Sequence, residues 1–142
     1  MDKKFELIRE KISSADSILI TSHKRPDGDA VGSVIGLGLA LQDSGKKVEM
    51  VIVDGIPKNF SHLVGSEKIS RKINHDYDIS IILDCSELKR IGFDIGEDFI
   101  PTINIVLKNT RLILFFLSSW SLMLLMSLKK SPTTVPIKKI AK

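Results

Sequence analysis

One imidazole and two carboxylates fall within seven residues of one another in residues 18–33, ILITSHKRPDGDAVGS: His23, Asp27 and Asp29, spaced H-x-x-x-D-x-D. These are the donors that hard or borderline divalent cations take, so the first chemistry the stretch suggests is metal binding. Gly28 separates the two aspartates and tolerates the positive φ of a sharp turn. The same residues also have a purely structural reading. Asp29 suits the N-cap of a helix beginning just after it, Pro26-Asp27-Gly28 is common turn chemistry, and a lone histidine at a strand end is often only solvated. A further carboxylate, Asp84, directly follows the apolar run IIL at residues 81–83. It reads equally as a ligand or as a cap for a helix from Ser86 onward.

These groups need elements to hold them. In residues 2–14, Phe5, Leu7, Ile8 and Ile12 recur close to helical spacing among charges, the mark of an amphipathic helix. A first strand follows at about 17–22 and a crossover helix at 30–44, with Gly45 as its stop. Gly28, Gly32 and Gly36 recur every four residues beside Leu37, Leu39 and Leu41, which suggests a face for close helix packing rather than a ligand site. A second strand at 48–53, a turn at Gly55-Ile56-Pro57, a short helix at 58–64 and a third strand at 79–83 complete the series. The third strand is uninterruptedly apolar, as strands buried on both faces are. Strands alternating with helices predict an α/β fold, a Rossmann-like parallel sheet flanked by helices. Ligands of such sheets bind beyond the carboxyl ends of the strands. His23, Asp27 and Asp29 lie past the end of the first strand and Asp84 past the end of the third. Neighbouring strands are about 5 Å apart, so adjacency of these two would bring Asp84 to the first group.

With 142 residues the chain has room for one domain with a real core. A single cysteine, Cys85, excludes an intramolecular disulfide and fits a reducing, cytoplasmic setting. The N-terminal MDKKFELIREKI is charged throughout, so no cleavable signal peptide is expected. The net charge of +4 is unevenly spread: residues 1–98 hold 14 Lys+Arg and 17 Asp+Glu, and residues 99–142 hold seven basic residues and no acidic one. The basic character therefore belongs to the C-terminal third and does not argue for a nucleic-acid-binding face on the rest.

SHKRPDGDAVGS, followed some fifty residues later by LDCSELKRIG, resembles the DHH phosphoesterase superfamily, and within it the nanoRNase/pAp phosphatase type. The first motif matches in register through His23, Asp27, Asp29 and Gly32-Ser33, the second through Asp84, Arg90 and Gly92. The resemblance covers roughly residues 5–105. It implies an N-terminal α/β domain carrying two Mn²⁺ ions and a smaller C-terminal domain that closes over the substrate. It also implies hydrolysis of phosphoester bonds in short oligonucleotides or nucleotide phosphates such as pAp. By position it makes His23, Asp27, Asp29 and Asp84 metal ligands. Arg90 would face a phosphate or be an ordinary surface charge.

The sequence departs from this pattern at one place. The Asp-His-His triplet that names the family should follow a third apolar stretch, yet Ile103-Asn104-Ile105 is followed by Val106-Leu107-Lys108, and no such triplet occurs anywhere. His62 and His75 stand elsewhere and are expected on the surface. Residues 1–105 therefore read as an incomplete DHH-type domain. Residues 106–142 read as an unrelated apolar and basic tail, irregular or helical, of the kind a frameshift or truncation produces. Residues 112–128 form a run of seventeen without a charge, at the lower edge of a membrane span. They are equally readable as a membrane contact, a core helix or an unselected sticky stretch. The expectation is a site with no intact catalytic group, one Mn²⁺ or none bound, and weak hydrolysis at best; the alternatives are a non-catalytic nucleotide- or metal-binding remnant and a small membrane-associated protein.

Overall fold

The computed structural model describes residues 3–94 and 102–105. Helix α1 spans Lys3–Ser14, strand β1 Ser17–Thr21, helix α2 Gly28–Asp43 and strand β2 Lys47–Val51. A two-residue strand β3 (Ile69–Ser70), strand β4 (Ile79–Leu83) and strand β5 (Thr102–Ile105) follow, with single 3₁₀ turns at Lys58–Phe60, Ser66–Lys68 and Leu88–Arg90. The five strands are ordered β3-β2-β1-β4-β5, and every pairing is parallel. The first and third predicted strands, now β1 and β4, are indeed neighbours.

Both central strands bury their two faces, as their apolar runs require. On one face Ile18, Ile20, Ile79, Ile81, Leu83 and Ile103 meet Val31, Val34, Ile35 and Leu41 of α2 and Ile12 of α1. Alternate residues point the other way, and there Ile82 packs with Cys85 and Ile91. Each fully buried aliphatic side chain contributes roughly 1.5–3 kcal/mol relative to exposure. The starts of β1 and β4 are pinned by Asp78, whose Oδ2 accepts from the Asp16 N–H at 2.9 Å and the Ser17 N–H at 2.8 Å. Lys46 Nζ donates to the carbonyls of Ser13 and Ala15 at the end of α1.

Several sequence expectations change. Helix α2 starts at Gly28, two residues early, and its N-cap is Asp27 rather than Asp29. The Gly28-Gly32-Gly36 face is not where α2 comes close to the sheet: a side chain at Gly32 or Gly36 would meet nothing within 4 Å. The glycine that permits close approach is Gly38, where even a Cβ would overlap the buried Met50 side chain. The turn after β2 closes at Ile52, whose carbonyl accepts the Gly55 N–H at 2.8 Å, and the helix expected over 58–64 is only a 3₁₀ turn. Strand β3 is too short to leave a pattern. The proposed tail, residues 106–142 with the uncharged run 112–128, lies outside the described residues. Among the described residues no helix is long and apolar enough to cross a membrane.

Candidate metal centre

Strand register builds the site. In the β1–β4 ladder Thr21 faces Ile82. The offset continues past the ladder, where Ser22 Oγ donates to the Leu83 carbonyl at 2.7 Å. The next residue on each strand is a predicted ligand, and His23 Nε2 lies 3.8 Å from Asp84 Oδ2. Asp27, at the head of α2, completes the group: one donor atom from each of His23, Asp27 and Asp84 lies within 4.8 Å of the others. β1 and β4 flank the point where the chain reverses its direction of travel across the sheet, from β1 outward to β2 and β3 or to β4 and β5. Crevices at such switch points are where open α/β sheets bind ligands.

The histidine is set for coordination. It is buried, and its Nδ1 lies 2.8 Å from the Lys24 carbonyl. A carbonyl can only accept, so Nδ1 carries a proton and donates, which leaves Nε2 as the nitrogen that faces Asp84. Fixing the tautomer through the second nitrogen is how ligating histidines are oriented. An imidazole nitrogen and carboxylate oxygens gathered in this way are a donor set that a divalent cation satisfies.

Asp27 has β-region backbone angles (φ −90°, ψ −172°), and its Oδ1 accepts from the Ala30 N–H at 3.0 Å. Capping occupies one oxygen, and a carboxylate has a second, so the capping and ligand readings of this residue are compatible. Asp29 is exposed in the first turn of α2 and is not one of the three gathered residues. Asp84 is not a helix cap: only the 3₁₀ turn Leu88–Arg90 follows, and Glu87 holds its N-cap position. Instead Asp84 is held left-handed at φ +50°, a conformation that aspartate tolerates better than most residues. Its carboxyl pKa is raised, first by burial, then by the negative charge of Asp27, and further by Asp29; His23 and Arg90 act in the opposite direction. A bound cation would relieve this repulsion.

Arg90 is exposed at the end of its 3₁₀ turn, and its carbonyl accepts the Lys24 N–H at 2.7 Å, which ties the loops of His23 and Asp84 together. His62 and His75 are exposed, as expected. Three contributions were invisible in the sequence: the Ser22 hydroxyl bond, the Lys24–Arg90 link, and Asp54, whose Oδ2 accepts the Arg25 N–H at 2.8 Å and holds the loop from beyond β2. All three join residues far apart in sequence, where spacing carries no signal.

A family model described as the DHH family, N-terminal domain, matches residues 17–106. None of the curated proteins compared with the chain matches it. Among solved structures, an exopolyphosphatase-related protein from Bacteroides fragilis shares the fold, with a TM-score of 0.68 and 24% sequence identity over 84% of this chain. The match covers 44% of that protein, so the chain spans less than half its length.

Proposed function

The chain belongs to the DHH family by its N-terminal domain, and from that premise we propose that it is the metal-binding half of a phosphoesterase, holding a divalent cation, Mn²⁺ in particular, on His23, Asp27 and Asp84 with Asp29 beside them. The substrates proposed are short oligonucleotides or nucleotide phosphates such as pAp. The observation that carries this reading is the convergence of the three donors within 4.8 Å beyond the carboxyl ends of β1 and β4. A cation bound there supplies Lewis acidity to a phosphoryl oxygen and lowers the pKa of a water. The chain's own residues orient it: the Lys24 carbonyl sets the imidazole, the Ala30 N–H holds the Asp27 carboxylate, and the Ser22 hydroxyl fixes the strand ends.

Activity is expected to be weak. Strand β5 pairs Ile105 with Leu83, the residue before Asp84. The sequence after Ile105 is Val106-Leu107-Lys108, with no carboxylate or imidazole. One cation without the donors of an Asp-His-His triplet forfeits several kcal/mol of transition-state stabilisation, at tenfold in rate per about 1.4 kcal/mol. The same absence favours a second reading, a metal- or nucleotide-binding remnant without turnover. Mn²⁺ titration followed by electron paramagnetic resonance, with pAp and a dinucleotide tested as substrates, separates the two. Saturable Mn²⁺ binding with turnover that Asp84→Ala abolishes supports the first reading, and binding without turnover supports the second. No Mn²⁺ binding at millimolar metal overturns the first reading, and together with no binding of pAp or the dinucleotide it overturns both. Membrane association through residues 112–128 is a separate proposal, tested by cell fractionation.

A further inference from the structure

Of the three gathered donors His23 is buried and Asp84 half-buried, whereas Asp27 is exposed. Packing therefore does not fix the Asp27 carboxylate, and its bond to the Ala30 N–H engages one oxygen. The backbone that carries it is held from outside at two points. Before it, Arg25 donates its N–H to Asp54 Oδ2 at 2.8 Å and stands at φ +53°. That conformation is sparsely populated and persists only where the surrounding structure imposes it. After it, Gly28 faces the ring of Phe60: a Cβ on Gly28 would stand 3.3 Å from Phe60 Cζ and 3.4 Å from Cε1. Between the two holds lie Asp27 and Pro26, which is buried and whose ring fixes its own φ. Both holds come from residues 54–60, beyond β2, which supply none of the gathered donors. That segment is itself anchored. The Gly55 N–H closes its turn on the Ile52 carbonyl at 2.8 Å, and Ile52 donates to the Ser70 carbonyl at 3.0 Å. The Arg71 side chain lies so close over Gly55 (φ +73°) that a Cβ there would overlap it. Ile56, Phe60 and Leu63 pack against the main core.

We propose that residues 54–60 set the cation affinity of the metal centre by fixing Asp27, with Asp54 and Phe60 as its positioning residues. This rests on the metal reading above. An exposed carboxylate free to move loses conformational freedom when a cation binds, and a carboxylate already held in place loses less. Asp54 holds the backbone two residues before Asp27 and Phe60 holds it one residue after, so the carboxylate is carried on a stretch clamped at both ends. The missing side chain of Gly28 leaves the space that the Phe60 ring tip fills. The brace reaches the donor from the β2 side of the sheet, away from β4, so Asp27 and Asp84 are positioned by different parts of the fold.

The test is Mn²⁺ titration of the full chain by electron paramagnetic resonance, paired with amide hydrogen exchange in chelator. Asp54→Ala and Phe60→Ala are each expected to weaken Mn²⁺ binding roughly tenfold, as loss of a group that orients a ligand does. Phe60→Leu, which keeps most of the bulk, is expected to retain most of the affinity. Exchange should quicken over residues 23–28 in both alanine variants while β1 and β4 stay protected. Gly38→Val, a packing change about 15 Å farther along α2, is expected to leave Mn²⁺ affinity unchanged. Alanine variants that bind Mn²⁺ as tightly as wild type overturn the brace and leave the metal reading standing. Affinity lost equally in Gly38→Val, or exchange quickened throughout β1 and β4, assigns the effect to general destabilisation and overturns the brace as well. Absence of Mn²⁺ binding by wild type overturns the metal reading and the brace with it. If Phe60→Ala fails to fold, Asp54→Ala decides alone, because Asp54 is exposed and its replacement removes no core packing.

Discussion

Replacing Asp84 by asparagine should reveal the opposition between binding and stability at this site. Asparagine keeps the shape and accepts the left-handed backbone at φ +50°, so the change removes a charge and little else. In the metal-free protein that charge is unfavourable. Burial and the carboxylate of Asp27, with a donor oxygen within 4.8 Å, raise the Asp84 pKa. The sign follows: a raised folded-state pKa gives stability that is present below the unfolded value, near 4, and lost as pH rises through the folded value. Two like charges at about this distance repel by about 1 kcal/mol at the dielectric of water and more at a protein surface. Asp84 is partly exposed, and solvent screening keeps the net effect near the lower figure. At pH 8 in chelator, Asp84→Asn is therefore expected to stabilise the fold by roughly 1 kcal/mol. Saturating metal should reverse the order: ligand at a hundred times its dissociation constant adds about 2.7 kcal/mol to wild type, and the variant, which offers a neutral amide oxygen in place of a carboxylate, should gain less at the same metal concentration. Urea denaturation of both proteins, in chelator and in Mn²⁺, measures all four stabilities. A variant less stable than wild type in chelator, or equal stabilisation of both by Mn²⁺, would refute the reasoning.

Gly38→Val is expected to cost about 1–3 kcal/mol through overpacking against Met50, although valine is the better helix former; chemical denaturation should show partial recovery in a Met50→Ala background, and no recovery would mean that the close approach of α2 to β2 is not the cause. Asp78 has a lowered pKa, chiefly from the Ser17 and Asp16 backbone N–H bonds, so its contribution is present above the unfolded value and disappears as pH falls through the folded one. Asp78→Asn should therefore lower stability at neutral pH and flatten its decline in acid; parallel pH profiles for the two proteins would count against that pinning role.

The apolar runs at 17–22 and 79–83 announced the two central strands, and the loops behind them announced His23, Asp27 and Asp84, because burial on both faces and ligand chemistry each leave a local mark. Their meeting depended on strand order, which the sequence only allowed. Cap assignment failed between Asp27 and Asp29 because both are good caps at neighbouring positions, and the choice is made by where the backbone turns. The glycine spacing misled because period alone does not say which face of α2 meets the sheet; the large partner, Met50, lies opposite Gly38. The left-handed Arg25 and Asp84 and the grip of Asp54 on the loop were illegible, since tertiary contacts impose them against local preference.

The pairing of β1 with β4 has a consequence for the order of events in folding. His23 and Asp84 meet only when strands some sixty residues apart in sequence have docked, and until then the donors of the proposed centre are split between two loops, two on one and one on the other. A cation can therefore gain little hold on a partly made chain and acts after the central strands close. Its effect should appear as slower opening of the finished sheet rather than faster assembly. For the same reason a nascent chain that ends before β4 holds two of the three donors and lacks the strand that would set their distance.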